Sequence, residues 1–406
     1  MKHKNTNQQS EKTKRGSELE SLLHSEHTLE IEKLAVGGSG VGRIQFKDRK
    51  IVVFVPYSAP LDQVKIKITA VDKNFMSGQI VEIIKPGLGR RTAACKYYGV
   101  CGGCTWQHID EKTQVEQKEL ILKDLFQKFL PDTKYSLKET IRTENNFEYR
   151  NRIQVKQIGT QIGFFKTESH DLVEIDDCLI AEKPIRDWLK TASQKLRPSR
   201  ELKKHEVKIN HLNQVESYAI GTQSEGLSFS QVNRYINDFL VQKVLNIVEP
   251  IQPTMITEFY AGSGNFTFPL LEKFPKTNID AIELNPALTK VAVEKIKEKS
   301  FHKRAKFYTT YSETFAQQTE LSSELILLDP PRSGCDAQLM QIIAQKPPQK
   351  LIYISCHPVS LVRDLQLLLK NNCKIEIQDL QIFDMFPQTD HFETVCVVSI
   401  HKLLNS

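Results

Sequence analysis

The stretch Leu351–Arg363, LIYISCHPVSLVR, places a thiol where an α/β sheet puts its reactive groups. Leu351–Ile354 is a short apolar run with β-branched and aromatic residues, which predicts a buried strand. Ser355-Cys356-His357-Pro358 follows, and Val359–Lys370 has the apolar spacing of a helix. Cys356 is therefore expected at the C-terminal tip of a strand, the end at which such sheets bind and transform ligands. Alone, a Cys beside a strand is a small buried hydrophobe. Its company along the chain argues for more.

A second strand, Met255–Phe259, runs into Ala261-Gly262-Ser263-Gly264-Asn265 and then a helix, Phe266–Lys273. Glu283, at the tip of the next strand, Asp280–Glu283, lies 21 residues beyond Gly262. An acidic residue about twenty positions after a Gly-rich turn is placed to bind ribose hydroxyls. The last glycine of the dinucleotide fingerprint is replaced by Thr267. That favours a nucleoside cofactor without pyrophosphate, and S-adenosylmethionine is the evident candidate. Asp329-Pro330-Pro331-Arg332 then follows the apolar run Leu325–Leu328. A rigid loop bearing a carboxylate beside the cofactor suits the holding of a planar base. Glu393 opens the last strand, Thr394–Ile400, with His391 two residues before it. Taken alone, Glu393 reads as a strand-end carboxylate in water.

Cys95, Cys101 and Cys104 cluster in the stretch Arg90–Gln107, and Cys178 follows 74 positions after Cys104. Four thiolates can hold zinc or an iron–sulfur cluster. Gly102 and Gly103 would let backbone N–H groups approach the sulfurs. Eight Cys in a chain with no secretory leader argue for metal or catalysis over a disulfide framework.

The elements that must position these residues divide the chain. Residues 1–24 read as a disordered basic tail. Residues 25–90 read as a small OB-like β barrel, with strands at His27–Ala35, Gly42–Phe46, Lys50–Val55, Gln63–Val71 and Ser77–Ile84. Such barrels bind single strands of nucleic acid, and Arg43, Lys47, Arg49, Lys50 and Lys65 supply charge. Residues 91–230 form a mixed central domain carrying the Cys site, with a helix over Asp110–Leu130. Residues 231–406 alternate strand and helix, as a doubly wound parallel sheet does. This last part carries 18 Lys and Arg against 19 Asp and Glu, whereas the first 230 residues carry 37 against 30. A neutral half joined to a basic half suggests chemistry on one side and a polyanion on the other. No apolar run approaches the roughly 18 residues of a membrane helix. A cytoplasmic monomer that does not engage membranes is expected.

Together these residues resemble the RNA (uracil-C5)-methyltransferase family, in its iron–sulfur branch with an N-terminal TRAM domain. The likeness rests on the GGSGVGR loop, C-x₅-C-G-G-C with Cys178, FSQVN at Phe229–Asn233, FYAGSGNF, DPPRSG, ISCHP and HFETV. It departs at His357, where Asn or Asp is common, and at Leu61, where a Gly often follows the Pro. The resemblance implies an α/β, Rossmann-like methyltransferase domain using S-adenosyl-L-methionine, with cofactor contacts from Gln231, Tyr260, Asn265, Glu283 and Asp329. It implies a [4Fe–4S] cluster on Cys95, Cys101, Cys104 and Cys178. It further implies Cys356 as nucleophile and Glu393 as general base, acting on a uridine of RNA, 23S rRNA before tRNA. The thiol is expected to be activated by a lowered pKa at its strand-to-helix turn. Competing readings are an RNA amine methyltransferase without covalent catalysis and a non-catalytic RNA-binding iron–sulfur protein.

Overall fold

The computed structural model describes residues 19–220 and 231–403. Residues 1–18 of the expected tail, and Phe229 and Ser230 of the FSQVN motif, lie outside the described residues. Two compact units are formed. One runs to Ile121 and adds Phe164–Val173 and Pro387–Asp390; the other takes Leu122–Gly163, Glu174–Phe386 and His391–Ser406.

In the first unit, six strands build the barrel sheet: β1 (Glu26–Glu30), β2 (Lys33–Leu34), β3 (Gly40–Phe46), β4 (Arg49–Val55), β5 (Gln63–Val71) and β6 (Phe75–Lys85). Their order is β1-β5-β6-β4-β3-β2. Alternation drives it: Val64, Ile66 and Ile68 of β5 are fully buried, while Lys65 and Lys67 between them are not. Residues 19–24 differ from the expected tail. Leu19 is buried among the barrel's apolar residues and Glu20–Leu22 makes a 3₁₀ turn. The cause is apolar: Leu19 and Leu22 gain more by covering the barrel than by remaining in water. Leu61 holds a left-handed φ of 62°, which explains why glycine suits that position elsewhere.

A helix, α1 (Glu111–Phe129), follows the Cys-rich loop. Residues 91–230 are divided between the two units. Five of their strands make one sheet: β8 (Arg152–Gly159), β9 (Gln161–Phe165), β10 (Leu172–Glu174), β11 (Ser199–Ile209) and β12 (Val215–Ala219). The preceding strand, β7 (Leu137–Ile141), instead pairs in parallel with the far edge of the catalytic sheet. Helices α2 (Lys183–Leu189) and α3 (Ala192–Lys195) lie between β10 and β11.

The second unit is organised on eight strands in the order β15-β14-β13-β16-β17-β19-β18-β7. They are β13 (Met255–Phe259), β14 (Asn278–Glu283), β15 (Ala305–Thr309), β16 (Leu325–Leu328), β17 (Lys350–Ser355), β18 (Cys373–Phe383) and β19 (Glu393–Lys402), with β7 at the edge. The helices are α4 (Arg234–Val248), α5 (Thr267–Lys273), α6 (Pro286–Glu298), α7 (Ser312–Gln318), α8 (Ala337–Gln345) and α9 (Pro358–Lys370). Strands β13 to β17 are parallel neighbours, as the alternating pattern predicts. The sheet is not wholly parallel, because β19 inserts between β17 and β18 antiparallel to β17. That reversal matters for chemistry. Only an antiparallel neighbour begins where β17 ends. Leu325, Leu327, Ile352, Ile354, Val395 and Val397 pack with α4 and α5 residues in one buried cluster. No helix among the described residues is long and apolar enough to cross a membrane.

Candidate active site

The pairing register brings the chemistry together. Ser355 of β17 stands opposite Thr394 of β19. Cys356 follows Ser355 and Glu393 precedes Thr394, so thiol and carboxyl occupy adjacent strand tips. In the parallel pairs, Glu258 faces Leu327 and Leu327 faces Ile352. Side chains alternate along strands. Glu258, Asp329, Cys356 and Glu393 therefore all project from one face of the sheet at its C-terminal edge.

Their environment is short of water and rich in negative charge. Glu393 is buried, and its Oε2 accepts no hydrogen bond among the described residues. Burial, then the charge of Asp329, raises its proton affinity well above the ordinary carboxyl range, against the pull of Arg332. Desolvation pushes Asp329 up to about 7. Two carboxyls this close do not both ionise readily, so the pair titrates as one unit. The expected activation of Cys356 by a lowered pKa is not found. Burial first, then Glu393 and Asp329, push the thiol up to about 12, and only Arg332 among nearby side chains works in the opposite direction. The turn before α9 does not outweigh that desolvation. Arg332, assigned no role from sequence and exposed, is a cation whose charge acts on both the thiol and the base.

The Gly-rich turn forms the second half of the site. Gly262 and Gly264 take φ of 58° and 89°, and Tyr260 also lies in the left-handed region at 63°. A Cβ at Gly264 would meet the Phe268 ring at 2.5 Å, so the chain turns tightly onto its own helix. Glu283 is held at both oxygens: Gly262 N–H donates to Oε2 at 2.9 Å and Asn285 N–H to Oε1 at 2.8 Å. Its carboxylate is fixed at the neighbouring strand tip, as the spacing predicts. Asn265 and Asn237 of α4 exchange amide hydrogen bonds at 3.1 and 3.0 Å. Gln231 is buried just ahead of α4, and its carbonyl accepts from Asn151 Nδ2 at 3.1 Å.

Glu258 was not singled out by motif. It is buried in β13; Thr267 Oγ1 donates to its Oε2 at 2.5 Å, and Oε1 accepts nothing among the described residues. Burial pushes it up to about 8. A carboxylate inside the apolar run Met255–Phe259 is the signal that marks it.

In the first unit, Cys95, Cys101 and Cys104 are half-buried on one loop. Tyr98 N–H donates to Cys95 O and Cys101 N–H to Tyr97 O. Burial, ahead of the opposing pull of the Gly103 amide, pushes the Cys101 thiol up. Cys178, in the second unit, is half-buried, with its N–H on Asp177 Oδ1 at 2.8 Å. Thiol-only donors suit zinc or an iron–sulfur cluster. Among the described residues, no group of three or more His, Cys, Asp or Glu side chains is arranged to hold a metal ion.

Comparison with known proteins decides the family. The tRNA (Uracil-5-)-methyltransferase family matches residues 214–401, and the TRAM domain matches residues 21–81. An uncharacterized RNA methyltransferase of Bdellovibrio bacteriovorus is 38% identical over 387 residues, covering 93% of this chain and 96% of the relative. The chain belongs to the RNA uracil-C5 methyltransferase family. A 23S rRNA (uracil(1939)-C(5))-methyltransferase of Idiomarina loihiensis is 27% identical, covering 79% of this chain and 85% of that one. The crystal structure of Pyrococcus abyssi tRNA (uracil-54, C5)-methyltransferase with S-adenosyl-L-homocysteine shares the fold, with a TM-score of 0.71 over 92% of this chain and 99% of that one, at 20% identity. The TRAM barrel and the methyltransferase sheet expected from sequence are therefore both present.

Proposed function

We propose that this RNA uracil-C5 methyltransferase acts by covalent catalysis, with Cys356 as nucleophile and Glu393 as general base, on a uridine of 23S rRNA. The supporting observation is the placement of thiol and carboxyl on adjacent tips of β17 and β19, sharing a face with Asp329. C5 of uracil is a weak nucleophile. Addition of the Cys356 thiolate to C6 moves the ring's electron pair onto C5 and O4. C5 then takes the methyl group from the sulfonium, leaving S-adenosylhomocysteine. The C5 proton passes to the Glu393 carboxylate, the C5=C6 bond re-forms, and the thiolate leaves. The water-poor pocket that raises Glu393 makes its ionised form a stronger base for that proton, and the carboxyl must first release the proton that the same burial favours. The same pocket disfavours a free thiolate, so Arg332 and the bound ring must supply the compensation as it forms. Gln231, Tyr260, Asn265, Glu283 and Asp329 hold the methyl donor. The base must leave its stack to arrive, which points to a loop or flipped nucleotide. Arg332 stands where amine methyltransferases carry an aromatic residue, and that favours carbon over nitrogen as the acceptor.

Cys356→Ala is expected to lower methylation by at least about 10⁴-fold while donor affinity stays within about twofold. Glu393→Gln is expected to permit methyl transfer but stall release, leaving protein bound to RNA. Normal turnover by both variants would sink the mechanism.

We further propose that Cys95, Cys101, Cys104 and Cys178 hold a [4Fe–4S] cluster, with no step of methyl transfer assigned to it. The support is the thiol-only donor set. Anaerobically purified protein should be brown and carry about four irons per chain; colourless protein with one zinc would refute this. The enzyme is proposed to act as a cytoplasmic monomer.

A further inference from the structure

Two side chains of α9 play no direct part in that chemistry, yet they grip the loop that carries Arg332. Ser360 and Asp364 are four residues apart, so they share a helix face. Ser360 Oγ donates to Arg332 O at 2.6 Å and lies 2.9 Å from His357 Nδ1. Asp364 is fully buried. Its Oδ2 accepts from Cys335 N–H at 2.7 Å and from Tyr353 hydroxyl at 2.6 Å. Its Oδ1 accepts from Arg363 Nε at 2.8 Å, and Arg363 Nη2 donates onward to Cys335 O at 3.2 Å. Gly334, between the two gripped residues, holds φ of 78°, and a Cβ there would lie 2.6 Å from Asp364 Oδ2 and 3.0 Å from Ser360 Cβ. The loop backbone thus rests directly on the helix.

A carboxylate on the apolar side of a helix is costly to desolvate and is tolerated when its acceptors are filled. Here they are filled by the loop and by Tyr353, on the sheet face opposite Cys356. Cys335 Sγ also lies 3.7 Å from the same Tyr353 hydroxyl. We infer that Ser360 and Asp364 are positioning residues, which fix the backbone from Arg332 to Cys335 and so keep the Arg332 guanidinium facing Cys356 and Glu393. His357, bonded to the same Ser360 hydroxyl, ties the nucleophile's own turn to that grip. The inference rests on Cys356 being the nucleophile, but its test does not need the methylation reaction.

Among the described residues, the charged groups that act on Cys356 are Glu393 of β19, and Asp329 and Arg332 of the loop after β16. If Arg332 drifts, the thiol loses the favourable charge of that cation. The full chain would be treated with iodoacetamide across pH 7 to 10, without RNA, and the Cys356 peptide followed by mass spectrometry. Ser360→Ala, which deletes one hydroxyl, should shift Cys356 alkylation to about threefold slower at every pH in that range, the effect of a rise of about half a unit in a thiol that titrates above it. Asp364→Asn should move it the same way and further, with melting temperature and donor affinity as controls on folding. In methylation assays Ser360→Ala should lower kcat about tenfold at unchanged KM for RNA, as expected when only the transition state is affected. If Cys356 in folded Ser360→Ala alkylates at the wild-type rate, or faster, the inference is overturned. Loss of methylation by wild-type protein on every RNA would instead count against the proposed mechanism, and the alkylation result would stand.

Discussion

A carboxyl buried with an unfilled acceptor binds its proton more tightly than one in water, and Glu258 is the plainest case in this chain. Its ordinary value is 4.5 and burial pushes it up to about 8, so between those two the folded chain holds a proton that the unfolded chain has released. Stability then falls as pH rises through that window. Asp329 and Glu393, raised by the same burial, add to the slope. Without methyl donor, the melting temperature should therefore be lower at pH 8 than at pH 6. Glu258→Gln should flatten part of that difference, on the order of a few kcal/mol at most; an unchanged slope would show that Glu258 is not the group responsible. At this scale the sequence was partly legible. Cys356, Asp329, Glu283 and Glu393 were visible because motif and strand-end position coincided. The raised thiol was not visible, because desolvation depends on which carboxyls arrive from other strands. Arg332 lay in view without a role, since its partners stand 24 and 61 residues further along.

At the scale of elements, two short features decide the site: the turn after β13 and the reversal of β19. The turn can close only because Gly264 lacks a Cβ and holds φ of 89°. Gly264→Ala must push aside the Phe268 ring and adopt a disfavoured backbone, costing roughly 1–3 kcal/mol. It should weaken donor binding more than tenfold by calorimetry, while the barrel stays folded; wild-type affinity would show that the turn does not shape the donor pocket. The turn was legible because GxG after an apolar run has few other uses. The reversal was not. Alternating strand and helix predicts parallel order, and nothing local in Thr394–Ile400 says that this strand slips between β17 and β18. The strand limits themselves were close, with β5 at the residues its alternation predicts. The first turn of the barrel unit was hidden for a similar reason: Leu19 and Leu22 sit in a polar context whose packing partners come later in the chain.

For the whole molecule, the basic bias of the first 230 residues pointed to a polyanion, and a TRAM domain matches residues 21–81 within that stretch. Two of the expected contact residues are already engaged: Arg43 pairs with Glu32, and Lys65 with Glu26 at 2.7 Å. Within residues 91–230, β7 joins the eight-stranded sheet while the Cys-rich loop belongs to the unit that holds the barrel. Such sharing between bodies leaves no mark in local periodicity. The chemistry nevertheless reduces to one question, whether Cys356 bonds to uracil C6. It is answered by incubating the purified chain with S-adenosylmethionine and a 23S rRNA transcript containing 5-fluorouridine, then separating the products on a denaturing gel. Fluorine at C5 cannot leave as a proton, so wild-type protein should freeze as a covalent RNA adduct that Cys356→Ala does not form. Donor-binding wild-type protein that methylates the unsubstituted transcript but gives no adduct with the fluorinated one would contradict covalent catalysis.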